Sequence, residues 1–127
     1  MTIRNAKDLV AQACAEVKTL PAGDAAMLVD AVDTVFVDVR EADELEKTGT
    51  VKGAVHVPRG VLEFQADPSS ASHKAELDPG KRLVLFCASG ARSVLAARSL
   101  QVMGFTDVVS VEGGFAELEK AGAPTVR

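Results

Sequence analysis

Cysteine and histidine are scarce in this chain of 127 residues, which contains two of each. Cys14 and Cys87 lie far apart, and such sparse cysteine fits a reducing compartment better than a disulfide framework. Neither the cysteines nor His56 and His73 show the spacing of metal ligands. We therefore expect a cytoplasmic protein without a metal site, and we expect no cofactor.

The chain also lacks a cluster of basic residues and any long apolar run. Its formal net charge is −4, which argues against nucleic acid or an anionic membrane surface as the main partner. Residues 1–8 contain no apolar signal core, and no apolar run is long enough to cross a bilayer. We expect no nucleic-acid partner and no membrane partner, and the composition leaves the oligomeric state open.

Length and composition fit one domain. A chain of 127 residues can enclose a single core, and its 47% hydrophobic and 25% charged content is ordinary for a globular protein. No internal repeat or linker divides it. We expect one domain over residues 1–127, with the core at 21–127 and an extension at 1–20 that holds a helix and a short strand.

Short apolar runs alternate with helical patterns along the chain. Strands are predicted at 17–20, 35–39, 54–57, 83–86 and 107–111. Helices are predicted at 5–17, after Pro21, at 41–47, as one turn at 60–64, from Ser93 to Met103, and at 115–120. Residues 66–80 are predicted to form a long polar loop with one helical turn inside it. This alternation predicts an α/β fold with a five-stranded, mostly parallel sheet and helices on both faces.

The stretch around Cys87 carries the strongest functional signal. Cys87 follows an apolar run, Leu83 to Phe86, and precedes a short loop and a helix, so its thiol lies at the carboxyl end of a buried strand. Free N–H groups at the helix start, the helix dipole and Arg92 all favour a thiolate, and Gly90 lets the backbone turn. A buried, inert cysteine is the alternative, and the coincidence of loop, glycine, arginine and helix start favours a nucleophile.

The helix after Cys87 is predicted to bury one face. Ala96, Ala97, Leu100 and Met103 fall on the same side at helical spacing, and Gly104 can cap the end.

Three other polar residues have a structural and a functional interpretation. We interpret Cys14 as a small helical residue rather than a resolving cysteine, because no loop like the one around Cys87 surrounds it. His56 could serve as a base, but a histidine in such a strand more often hydrogen-bonds to structure. Asp38 lies inside an apolar strand, where a carboxylate needs partners.

Four ordered segments resemble the rhodanese-like sulfurtransferases. They are D-V-R at 38–40 with Glu44 after it, GTVKGAVHVP at 49–58, CASGARS at 87–93 and EGGFAELEKAGAP at 112–124. The loop at 87–93 resembles the C-x-x-G-x-R-S active loop of that family, and the polar insertion and N-terminal helix are similar to those of bacterial single-domain members. Thr50 and Leu118 stand where the family usually has His and Trp, and we expect them to alter packing rather than chemistry.

The resemblance implies a rhodanese-like fold and a persulfide mechanism. Cys87 would take a sulfur atom from a small donor and pass it to a nucleophilic or thiol acceptor, which could be a protein. Thiosulfate is the first choice of donor and mercaptopyruvate the second. Arg92 would bind the oxyanion end of the donor, Asp38 and Arg40 would brace neighbouring loops, and Arg59 is a weaker candidate for a donor contact. The N–H groups that would hold the transferred sulfur belong to the loop residues Ala88, Ser89, Gly90, Ala91, Arg92 and Ser93.

Three other functions remain open. The related cell-cycle phosphatases share this fold, but their loop has five residues between Cys and Arg, and here Cys87 and Arg92 have four between them. A sulfur carrier or sensor loaded by a protein would use the same Cys87 persulfide. An inactive binding module is the third alternative, and the presence of Cys87 with its loop residues argues against it.

Overall fold

The computed structural model describes residues 2–127. Its strands are β1 (Lys18–Leu20), β2 (Thr34–Asp38), β3 (Thr50–Val51), β4 (Val55–His56), β5 (Arg82–Phe86), β6 (Val108–Val111) and β7 (Thr125–Val126). Its α-helices are α1 (Ala6–Glu16), α2 (Ala22–Ala26), α3 (Ala42–Thr48), α4 (Leu62–Ala66), α5 (Ala91–Met103) and α6 (Gly114–Lys120), and a 3-10 turn covers Arg59–Val61. Within residues 2–127, every helix is too short or too polar to span a lipid bilayer.

The central sheet has five strands in the order β1-β6-β5-β2-β4, and every neighbouring pair is parallel. This confirms the predicted five-stranded α/β sheet. A second, antiparallel pair of β3 and β7 was not predicted. Each of its strands has two residues, which is too short for the alternating pattern that indicates a strand.

Helices cover both faces of the sheet, as predicted. Successive residues of β5 point to opposite sides, so Leu83 and Leu85 lie in one buried cluster and Val84 and Phe86 in the other. The first cluster is covered by α1, α4 and α5 and the second by α2 and α6. Because β5 is buried on both faces, its carboxyl end is held rigidly between the layers.

The predicted buried face of α5 is wrong at its last residue, since Met103 is 40% exposed. Gly104 adopts φ +112 and ends the helix, and the amide of Phe105 then donates to the carbonyl of Leu100 at 3.0 Å. This is a Schellman motif, which turns the chain so that the residue after the glycine packs back on the helix. Phe105 therefore occupies the core position that the helical spacing assigned to Met103.

A buried ion pair connects the end of β2 to β3. Asp38 and Arg40 are 0% and 2% exposed, and the Arg40 guanidinium donates to both carboxylate oxygens of Asp38 at 3.0 and 2.8 Å. Arg40 also donates to the carbonyl of Gly49 at 2.9 Å and lies 4.5 Å from the centre of the Phe115 ring. The hydroxyl of Thr50 donates to Asp38 at 2.7 Å. The pair therefore joins β2, the start of β3 and the helix α6.

Removing one partner of this pair should destabilise the fold strongly. Arg40→Ala leaves the Asp38 carboxylate buried without its counter-ion, and we expect a loss of about 3–5 kcal/mol in the free energy of unfolding. Urea unfolding measures it. Arg82→Ala is the matched control, because Arg82 pairs with Asp107 at an exposed site, where such a pair contributes about 1 kcal/mol or less. Equal losses in the two variants would contradict the bracing role.

Candidate active site

Cys87 lies directly after β5, at the carboxyl end of the central sheet. Its side chain is 1% exposed. The chain turns through Ala88, Ser89 and Gly90, and α5 begins at Ala91, two residues before the predicted start. Gly90 adopts φ +108 as the cap of this helix, a conformation that L side chains rarely adopt. The early start brings the first N–H groups of α5 toward the cysteine.

The sulfur of Cys87 is surrounded by hydrogen-bond donors. The amide of Gly90 donates to Sγ at 3.1 Å and the amide of Ser93 at 3.4 Å. The hydroxyl of Ser93 is 3.6 Å from Sγ and accepts from the protonated thiol. These amides belong to the first turn of a helix and have no partner within it, so they are free to stabilise an anion.

The pKa of the Cys87 thiol lies below its ordinary value. Burial is the largest influence and acts against the thiolate, but hydrogen bonds from the Ser93 hydroxyl and from the amides of Ser93, Gly90 and Ser89 together outweigh it. A thiolate is the nucleophilic form of cysteine. The site therefore combines a buried sulfur with an increased thiolate fraction.

The segment after β6 packs against the backbone of the active loop. A Cβ atom on Gly114 would lie 2.4 Å from the carbonyl carbon of Ala88, so the close approach requires glycine. The amide of Phe115 donates to the carbonyl of Cys87 at 2.7 Å. Gly113, which caps α6 at φ +78, and Gly114 let α6 begin against Cys87, and this approach depends on contacts between segments distant in sequence.

Arg92 does not face the centre of the loop in this structure. Its two terminal nitrogens donate to the two carboxylate oxygens of Glu44, each at 2.8 Å. Hydrogen bonding to Arg92 lowers the pKa of Glu44 to about 2, and the same bond raises the pKa of Arg92. The expected interaction of Arg92 with a donor therefore competes with an existing bidentate ion pair, which ties the first turn of α5 to α3.

Arg59 and His56 make their observed contacts away from the sulfur. Arg59 donates to both carboxylate oxygens of Glu63, at 3.1 and 3.0 Å, and lines a cleft of about 350 Å³ between α1 and α5. The ring nitrogen Nε2 of His56 is 2.7 Å from the carbonyl of Arg40, which is the structural contact that the sequence favoured over a catalytic base.

A cavity of about 310 Å³ lies beside the active loop. Cys14 is exposed in the structure and lines this cavity together with Ser89, Gly90 and Ser110. Ser110 lies in β6, and its hydroxyl is 2.8 Å from that of Ser93. Sequence reasoning missed Ser110, although a serine inside the apolar strand Val108–Val111 was a visible signal. Across residues 2–127 no group of three or more His, Cys, Asp or Glu side chains could hold a metal ion.

The sequence of the chain matches a family model. Residues 22–121 match the rhodanese-like domain, and this range includes Cys87 with its loop, the Asp38–Arg40 pair and the paired glycines. A putative sulfur carrier protein of Bacillus subtilis is 37% identical over 79 residues, which are 62% of this chain and 38% of that protein. Other curated relatives are matched over 27% of their length, so the chain spans well under half of the curated relatives that it matches.

Solved structures are similar over more of the chain. A Rhodopseudomonas palustris protein of unknown function, described as a possible tyrosine phosphatase, has a TM-score of 0.93 and 39% identity over 99% of this chain and 98% of its own. The polysulfide-sulfur transferase homodimer of Wolinella succinogenes has a TM-score of 0.76 and 34% identity over 94% of this chain and 85% of its own. With the family model matching most of the chain and the same fold in these neighbours, the chain belongs to the rhodanese-like domain family.

Proposed function

We propose that this chain transfers a sulfane sulfur from a small donor to a nucleophilic acceptor through a persulfide on Cys87. The observation that supports this most directly is the set of donors around the Cys87 sulfur. The amides of Gly90 and Ser93 lie 3.1 and 3.4 Å from Sγ and stabilise one anionic sulfur atom at the start of a helix. Membership in the rhodanese-like domain family and the similarity to the polysulfide-sulfur transferase of Wolinella succinogenes support the same reaction.

The reaction has two steps. In the first step, the Cys87 thiolate attacks the outer sulfur of thiosulfate, the sulfur–sulfur bond of the donor breaks, and sulfite leaves with the bonding electron pair. In the second step, an acceptor nucleophile attacks the outer sulfur of the persulfide, and Cys87 leaves as a thiolate. The N–H groups from Ala88 to Ser93 hold the negative charge that the outer sulfur carries between the steps. Thiosulfate is the preferred donor and mercaptopyruvate the second.

Other residues act on the position of the loop. The buried Asp38–Arg40 pair braces the end of β2 beside β5, and the Arg92–Glu44 pair holds the first turn of α5. Arg59 keeps the weakest claim to a donor contact, because its guanidinium is engaged with Glu63. We place the active unit at residues 21–127 with residues 1–20 as an extension, and we place the protein in the cytoplasm, where Cys87 stays reduced.

A second candidate is a sulfur carrier that is loaded by another protein. The similarity to a putative sulfur carrier protein of Bacillus subtilis favours it. The same persulfide forms in both functions, and the donor distinguishes them. Slow loading by thiosulfate together with rapid exchange with a protein persulfide would identify the carrier.

A phosphatase is a third candidate, favoured by the similarity to a possible tyrosine phosphatase. Two features oppose it. Four residues separate Cys87 from Arg92, which is a tighter loop than phosphate requires, and both terminal nitrogens of Arg92 are bound to Glu44. Hydrolysis of an aryl phosphate that is lost in Cys87→Ser would establish this function instead.

Incubation with thiosulfate should add one sulfur atom to Cys87. We expect a mass gain of about 32 Da that disappears after cyanide is added. Cys87→Ser should fold but show no gain, whereas Cys14→Ser, the matched control, should be loaded like the parent chain. Intact-mass spectrometry with peptide mapping measures all three. A gain in Cys87→Ser, or none in the parent, would remove the assignment to Cys87.

Alkylation of Cys87 should respond to pH as the lowered pKa requires. The thiolate fraction rises with pH, and a lowered pKa moves this rise to lower pH, so half-maximal alkylation by iodoacetamide should come at a lower pH than for free cysteine. The rate of persulfide formation should fall over the same range as the pH is lowered. Cys14→Ser removes the competing thiol, and urea-unfolded protein is the control, since unfolding removes the donors around the sulfur. If the folded and the unfolded protein show the same pH dependence of alkylation, the donors around the sulfur do not lower the pKa of the thiol.

Substitutions in the Glu44–Arg92 pair should separate donor binding from loop support. Arg92→Ala removes a cation near the donor and should raise KM for thiosulfate. Glu44→Gln removes the carboxylate that competes with the donor for Arg92, so this variant should have a lower KM for thiosulfate. Steady-state kinetics measures both constants. Equal increases in KM in the two variants would mean that the pair only holds the loop.

A further inference from the structure

Ser110 is a polar residue in an otherwise apolar strand behind the active loop. It is 1% exposed and lies between Val109 and Val111 in β6, where it pairs in register with Leu85 of β5. Its hydroxyl is 2.8 Å from the hydroxyl of Ser93, which is itself fully buried. Burying a hydroxyl in an otherwise apolar strand has a desolvation cost, which its hydrogen bond to Ser93 offsets.

The Ser93 hydroxyl faces more acceptors than it can satisfy. It lies 3.1 Å from the carbonyl of Gly90, 2.8 Å from the hydroxyl of Ser110 and 3.6 Å from the sulfur of Cys87. A hydroxyl has one proton to donate and two lone pairs that accept. If Ser93 donates to Ser110 or to Gly90, it cannot at the same time donate to a thiolate.

Ser110 has a simpler environment. Among residues 2–127, the structure records the Ser93 hydroxyl as the partner of the Ser110 hydroxyl and no other. When Ser110 donates its proton to Ser93, it fills a lone pair of Ser93 and leaves the Ser93 proton free for the sulfur. A donated hydrogen bond also polarises the hydroxyl that receives it and strengthens the bond that this hydroxyl donates.

We propose that Ser110 is a positioning residue that directs the Ser93 hydroxyl to the thiolate of Cys87. With the thiol protonated, the S–H group donates to Ser93, which donates in turn to Gly90 or Ser110. When the thiol proton leaves, both hydroxyls rotate, Ser110 donates to Ser93, and Ser93 donates to the sulfur. The inference rests on the proposed function, and it concerns the first step, because the negative charge lies on Sγ before the donor is attacked and on the outer sulfur afterwards.

A matched pair of substitutions tests the hydroxyl apart from the shape. Ser110→Thr keeps the hydroxyl and adds a methyl group. Ser110→Val gives a side chain of nearly the same shape as threonine but without the hydroxyl. Ser110 lines the cavity of about 310 Å³ beside the loop. Ser110→Ala removes the hydroxyl without adding volume and serves if the valine variant fails to fold.

The measured quantity is the pH dependence of Cys87 alkylation in a Cys14→Ser background. Loss of the Ser110 hydroxyl should raise the pKa of the Cys87 thiol by about one unit. Below that pKa, we therefore expect alkylation of Cys87 in Ser110→Val and Ser110→Ala to be about tenfold slower than in the parent. At high pH, where every thiol is ionised, the rates should converge. Ser110→Thr should retain the profile of the parent.

None of these variants substitutes a charged group around the loop. Those groups are Arg92 on α5, Glu44 on α3 with Glu41 before it, the Asp38–Arg40 pair at the end of β2 and Glu112 after β6. Thr19→Val is the control, since Thr19 pairs with Ser110 across the sheet and its hydroxyl donates to Glu112 at 2.7 Å. It should leave the alkylation profile unchanged.

Identical profiles for the parent, Ser110→Val and Ser110→Ala would overturn the proposal. So would equal slowing in Ser110→Thr and Ser110→Val, because a change of shape alone would then explain it. Urea unfolding of each variant establishes that the folded state is being compared. Alkylation needs no sulfur donor, so the experiment decides the role of Ser110 even if thiosulfate fails to load Cys87, and that failure would count against the proposed function alone.

Discussion

A buried sulfur anion has to find its hydrogen bonds inside the protein, and here the first turn of α5 supplies them. The side chain of Cys87 is 1% exposed, so water cannot solvate it well, and burial alone would raise the pKa of its thiol. The Ser93 hydroxyl and the amides of Ser93, Gly90 and Ser89 together reverse that effect, and the amides of Gly90 and Ser93 can contribute because they have no partner within the helix. The position of the helix start relative to β5 therefore decides whether Cys87 is inert or nucleophilic.

Three contacts between segments distant in sequence lie around the active loop and the helix start. The bidentate Glu44–Arg92 pair ties it to α3, and Gly114 allows the segment after β6 to approach the loop backbone. The Asp38–Arg40 pair contacts both β3 and the Phe115 ring, so it links the end of β2 to the same region. None of these contacts touches the sulfur. We expect each of them to limit how far the donors can move, which matters because hydrogen bonds weaken steeply with misalignment.

The arrangement also suits sulfur transfer better than phosphate chemistry. The loop between Cys87 and Arg92 is short, its amides converge on one atom, and the arginine that a phosphatase would aim at its substrate is bound to a carboxylate. The Ser93 hydroxyl lies 3.6 Å from the sulfur and 2.8 Å from the Ser110 hydroxyl. A hydroxyl group can rotate, so it can accept from the protonated thiol and donate to the thiolate, whereas an amide can only donate.

Local patterns determined much of this protein by themselves. The apolar run at 83–86 predicted a strand buried on both faces, the Cys87–Ser93 loop predicted a nucleophile at a helix start, and Asp38 in an apolar strand predicted a buried carboxylate with partners. Only the tertiary structure decided which partners these residues contact. Arg92 binds Glu44, Phe105 replaces Met103 in the core, and Ser110 reaches Ser93, because each partner lies on another element or beyond a turn. Periodicity and spacing describe one segment at a time, whereas these contacts depend on how the segments pack against each other.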